Sequence, residues 1–140
     1  MFSVKFVLMK YTLGKQERLK SKKLIEKLYK EGSSVKAFPL RMVFLQTEHT
    51  SDYPAQIGVS VAKRNFKKAP DRNRLKRLMR ESYRLQKEIV YNNLDVPYVF
   101  MISYLGKEEK DYEEIYAKMN KLLNLFIKQI QNIPNEEHDS

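Results

Sequence analysis

Phosphate recognition is the chemistry that the residue types of this chain favour. Between Lys63 and Lys87, eleven lysines and arginines stand against two acids, Asp71 and Glu81. That stretch carries +9 of a whole-chain charge of +10, so the rest is close to neutral. Asn73, Arg77, Arg80 and Arg84 are spaced i, i+4, i+7, i+11 and fall on one face of a helix. Lys76 and Lys87 flank that row, and Arg72 and Arg74 mark its borders. Leu75, Leu78, Met79, Ser82 and Leu85 fall on the opposite face. A helix of this design presses leucines into a core and turns guanidiniums outward. The planar guanidinium fork matches phosphate oxygens bidentately, and arginine outnumbers lysine here. A merely solvated face would mix its charge signs, because like charges one turn apart repel.

Other chemistries find little support. Cysteine is absent, which removes disulfides, thiolate metal sites and a cysteine nucleophile and fits a reducing compartment. His49 sits in a polar loop and His138 near the end, both read as exposed bystanders without catalytic partners. Gly14, Gly32, Gly58 and Gly106 are too scattered to build a phosphate-cradling loop. Glu108, Glu109, Asp111, Glu113 and Glu114 cluster where a helix begins, so dipole complementarity accounts for them better than a metal does. No catalytic residue and no metal ligand emerges. If the chain serves a reaction, another molecule performs it.

The elements that position the basic row follow from hydrophobic period and turn residues. Residues 15–30 read as mostly helical, with Ser21 as N-cap, a seam of Leu24, Ile25, Leu28 and Tyr29, and Gly32 as a left-handed stop. Residues 35–46 form one strand whose first half is irregular around Pro39. A polar loop over 47–54 leads to a second strand over 56–62, expected to pair antiparallel with the first. Pro70 suits the first position of the basic helix, and Asp71 favours its positive end. The nearly continuous apolar run 96–104 reads as a central strand covered on both faces. Asp111 and Glu114 form a capping pair before a long helix that carries Ile115, Met119, Leu122, Leu123, Phe126 and Ile127 on its apolar stripe.

The order α-β-β-α-β-α defines an α+β single domain, a sheet with helices packed on it. It spans residues 17–132, between an extension over 1–16 and a frayed tail over 133–140. Phe6 to Met9 is too short for a signal-peptide core, no membrane-spanning run exists, and a cytoplasmic protein is the simpler expectation. Met9 offers an alternative start.

The ten residues Arg72-Asn73-Arg74-Leu75-Lys76-Arg77-Leu78-Met79-Arg80-Glu81 resemble the RNRxKRxxRE signature of the protein component of bacterial ribonuclease P. The preceding strand and basic pair, Gly58 to Arg64, and the segment Arg18-Leu19-Lys20 with its following helix resemble that family too. The likeness runs from about Arg18 to Phe126. The chain departs from the pattern in three places. Asn65 to Asp71 replaces a Gly-x-Ala-Val approach and is one residue longer, Ile25 and Tyr29 stand where phenylalanines are common, and Ser103-Tyr104 replaces Ala-Arg.

The resemblance implies a compact α/β sandwich like that of a small-subunit ribosomal protein domain, with a left-handed crossover around the basic helix. It implies binding to a catalytic RNA, which with Mg²⁺ removes the 5′ leader of precursor tRNA. The metal belongs mainly to the RNA, and the protein alone holds no cofactor. Lys63, Arg64, Lys67, Lys68, Arg72, Asn73, Arg74, Lys76, Arg77, Arg80 and Arg84 would face the catalytic RNA. Ile25, Tyr29 and either Phe44 or its neighbour Val43 would line the leader cleft, although Ile25 reads first as core packing and Tyr29 evenly as core or cleft wall. The alternative is a ribosomal or general RNA-binding protein without a processing role. DNA is disfavoured because a strand, not a helix-turn-helix partner, precedes the basic helix. A membrane surface is disfavoured because the apolar face lacks large aromatics apart from Tyr83 at its border.

Overall fold

A computed structural model describes residues 13–139; the alternative start at Met9 and most of the expected N-terminal extension lie outside the described residues. A 3-10 turn, Lys15–Glu17, precedes α1 (Lys22–Glu31), β1 (Ser33–Ala37), β2 (Leu40–Gln46) and β3 (Ala55–Val61). Then come α2 (Ala69–Arg84), the short α3 (Glu88–Tyr91), β4 (Tyr98–Tyr104) and α4 (Tyr112–Asp139). The helical backbone of α4 thus continues past the end expected at residue 132.

The four strands form one sheet in the order β1-β2-β4-β3. What the sequence presented as one strand over 35–46 is a hairpin, with β1 and β2 antiparallel and Ala37 opposite Leu40. The expected antiparallel pairing of the next two strands is also corrected. β4 lies between β2 and β3, antiparallel to β2 and parallel to β3. A parallel neighbour requires a crossover, and α2 is that crossover. The last strand in sequence is therefore an interior one, flanked on both sides, which explains its unbroken apolar run.

Strand alternation divides the core in two. Met42, Phe44, Phe100, Ile102 and Ile57 face α2 and α4, where they meet Leu75, Met79, Leu122 and Phe126. Phe126 stands edge-on to Phe44 at 4.8 Å and to Tyr98 at 5.5 Å. Val43, Val99 and Met101 face the other way and pack on Leu19 and Leu28 beneath α1. Between its fully buried Leu28 and half-buried Leu24 and Ile25, α1 covers only part of this second face.

Local signals are partly as read. The Ser21 Oγ accepts from the Leu24 amide, and Asp111 Oδ1 accepts from the Glu114 amide at 3.0 Å. Gly32, however, is extended at φ −77° and ψ 162°, not left-handed. Crowding explains it, because a Cβ there would stand 2.5 Å from the Leu28 carbonyl oxygen and 2.8 Å from that of Phe44. On α2 the buried stripe is Leu75, Met79, Ser82 and Tyr83. Leu78 is only half-buried and Leu85 is exposed, so the stripe lies one position round from the expected one. Ala69, not Pro70, is the first helical residue.

Candidate nucleic-acid interface

The approach to α2 is fixed by a core anchor within a basic loop. Phe66 is buried, edge-on to Tyr104 at 5.9 Å, and its amide donates to the Ala62 carbonyl. Arg72 Nη1 donates to the carbonyl oxygens of Phe66 at 2.8 Å and Lys67 at 3.0 Å. Arg72 therefore ties the loop to the helix through one guanidinium nitrogen. With the loop held, Lys63, Arg64, Lys67 and Lys68 project into solvent around it.

Along α2 the basic side chains divide into engaged and free. Arg74 pairs with Glu109, from the segment before α4, and more loosely with Asp71 at 3.9 Å. Arg84 grips Glu81 through two nitrogens, which lowers the Glu81 carboxyl below its ordinary range. Among the described residues, no ion pair is recorded for Lys76, Arg77 or Arg80. Arg77, Arg80 and Asn73 are exposed and Lys76 is half-exposed. Partial desolvation of an otherwise exposed side chain, and after it the proximity of Arg18, pulls the Arg80 guanidinium below its usual value. Lys87 lies elsewhere than its spacing predicts. It is 1 % exposed, paired with Glu17 at 2.5 Å, and does not flank the basic row.

Beside this row lies a cleft between α1 and the second sheet face. A cavity of about 290 Å³ is lined there by Arg18, Lys20, Ile25, Gly58, Arg80 and Met101. Ile25 is thus both a cleft wall and a partner of the small core, as its two readings allowed. Tyr29 is 52 % exposed. Val43 faces α1 but is buried, whereas Phe44 points to the opposite face and packs on Phe126. Adjacent strand residues cannot share a face, so Phe44 is withdrawn from the cleft.

Sequence reasoning missed what tertiary structure adds to this face. Arg18 and Lys20 reach the cleft from the segment before α1. Farther along the open sheet face, Lys36, Arg41, Ser103 and Ser60 stand side by side across all four strands. The two serine hydroxyls share a hydrogen bond of 2.8 Å. No local periodicity marks these residues; only strand register brings them together.

His49 is half-buried, not an exposed bystander. Its Nδ1 accepts from the Ser51 amide, and burial holds the ring below its ordinary pKa. The acidic run before α4 does not assemble a metal site. Glu109 goes to Arg74, Asp111 caps α4, and among the described residues no three His, Asp or Glu side chains converge.

An α+β sandwich that presents unpaired guanidiniums beside a half-covered sheet defines a polyanion-binding domain. The family model described as Ribonuclease P matches residues 13–126. A ribonuclease P protein component from Porphyromonas gingivalis is 35% identical over 129 residues, covering 89% of this chain and 91% of the relative. One from Chlorobium phaeobacteroides is 39% identical over 87 residues, covering 60% of each chain. The fold agrees with the RNase P protein of Staphylococcus aureus at a TM-score of 0.64 and 19% identity, over 78% of this chain and 94% of that one. It agrees with that of Thermotoga maritima at 0.62 and 24%, over 76% and 94%. The chain belongs to the ribonuclease P protein family.

Proposed function

We propose that this chain is the protein subunit of ribonuclease P, binding the catalytic RNA through α2 and the 5′ leader of precursor tRNA in the cleft between α1 and the sheet. The observation that carries this reading is the row Lys76, Arg77 and Arg80, left without recorded acidic partners while Arg74 and Arg84 have theirs. Like charges one turn apart on a helix repel, and a phosphate lying across them relieves that repulsion, so a protein that meets phosphate leaves them available. Exposed Lys63, Arg64, Lys67 and Lys68 extend the same field to the sheet end.

Division of labour follows from what each part can do. Among the described residues no three His, Asp or Glu side chains gather as a metal cage. The phosphodiester hydrolysis is assigned to the RNA, with Mg²⁺ supplied mainly by RNA ligands. The protein's residues bind phosphates, orient the leader along the apolar floor of Ile25 and Met101, and lower the repulsion between two polyanions. DNA and membrane are not expected partners; among the described residues no helix is long and apolar enough to cross a bilayer.

Reconstitution tests the reading. Protein added to the family's catalytic RNA should increase leader removal from precursor tRNA at low Mg²⁺, and the protein alone should leave the precursor intact. Cleavage by the purified protein without RNA would overturn it. Copurification with ribosomal particles, and not with one large noncoding RNA, would favour a general RNA-binding protein instead.

A further inference from the structure

We infer that Arg18 and Arg80 together hold one phosphodiester group of a single-stranded RNA, where a strand lying in the cleft passes onto the arginine face of α2. The inference rests on the reading that the cleft takes a leader, and it adds a residue from outside the basic helix. Arg18 lies in the short link between the 3-10 turn and α1, yet its backbone is held on both sides. Glu17 before it is buried against Lys87 and Tyr91. Leu19 after it is buried in the small core, and its amide donates to the Ile57 carbonyl at 2.8 Å. Arg18 itself bridges Ile57 while its side chain remains exposed.

Both guanidiniums line the cleft cavity, and both line the adjoining notch of about 270 Å³ that continues along α2 past Arg77 and Arg84. They are the charged residues common to the two hollows. The acid within the notch, Glu81, is occupied by Arg84. Two cations thus share a hollow, and the ion pairs recorded for the described residues supply neither with a carboxylate. Like charges held close destabilise one another, and an anion with several acceptor oxygens relieves both at once. A phosphodiester has the charge and the forked geometry to bridge two guanidiniums. Glu17 and Lys87 act as positioning residues, because they fix the backbone that carries Arg18.

The test uses the reconstituted holoenzyme with two probes, precursor tRNA and the same tRNA lacking its leader. Arg18→Ala should weaken precursor binding about tenfold, the loss of one charge-assisted contact, and leave leaderless tRNA unaffected. Arg18→Lys should restore part of the loss. Replacing leader phosphodiesters one at a time by neutral methylphosphonates should reveal one linkage whose replacement reproduces the Arg18→Ala loss and adds nothing to it. Equal losses on both probes, or a scan in which every linkage is additive with Arg18→Ala, would overturn the clamp while leaving the leader cleft standing. A wild-type holoenzyme that binds both probes equally would instead overturn the leader reading itself. Thermal unfolding of the variant separates either result from misfolding.

Discussion

Glu17 and Lys87, 70 positions apart in the chain, meet at 2.5 Å with side chains that are 3% and 1% exposed. Tyr91 donates to the same carboxylate oxygen, and the Lys87 ammonium lies 5.4 Å from the centre of the Tyr91 ring. The pair joins the segment before α1 to the end of the α2 region. Removing one partner of a buried ion pair strands the other charge. Glu17→Gln or Lys87→Met should therefore cost about 3–5 kcal/mol in denaturant unfolding, and the double variant Glu17→Leu/Lys87→Met should recover most of it. A double variant as unstable as the worse single one would refute this.

Arg77 is exposed, without a recorded ion pair, and points away from the core. Arg77→Ala should leave unfolding unchanged and lower the slope of log affinity against log salt for the catalytic RNA by about one. Arg74 is already held by Glu109. Glu109→Gln should release it and tighten RNA binding, an effect that vanishes in an Arg74→Ala background.

Leu75 is fully buried and Leu78 only half-buried. Leu75→Ala should destabilise the fold by about 2–5 kcal/mol, with a clearly smaller loss for Leu78→Ala. Calorimetry on the two variants orders them.

Gly32 has no room for a Cβ, and the two nearest atoms it would meet are backbone oxygens that cannot swing aside. Gly32→Ala should cost about 1–3 kcal/mol through displacement of the junction between α1 and β1. Hydrogen exchange should show the loss first in α1.

Burial lowers the His49 pKa from 6.5. As pH falls through that value the unfolded chain takes up a proton that the folded one still refuses, so stability declines. The contribution is fully present above the unfolded pKa and lost on acidification. His49→Gln should flatten this part of the stability–pH curve, as urea midpoints across the interval would show.

Local patterns revealed the elements but not their arrangement. The charge of residues 63–87, the Ser21 cap, the Asp111 cap and the stripe of α4 depend on neighbours within one or two turns, and each is legible without tertiary contacts. The hairpin break at Phe38-Pro39 was hidden because β-formers continue on both sides of it. The insertion of β4 between β2 and β3 has no local signature at all. The division of the basic row depends on Glu81, one turn before Arg84 on the same helix, and on Glu109, which reaches Arg74 from another segment that spacing does not reveal. Lys87 reads as surface charge because its partner lies 70 positions earlier in the chain.

β3 is an outer strand of the sheet, and residues 16–19 run along it. The Gln56 side chain donates to the Gln16 carbonyl, and the Leu19 amide donates to the Ile57 carbonyl. Those few residues act as a guard rail against strand-to-strand self-association, because an uncovered edge templates the addition of another chain. A version trimmed at its front through Lys20 would expose an adhesive border, and such a protein would be expected to aggregate on storage even where its helices stay intact.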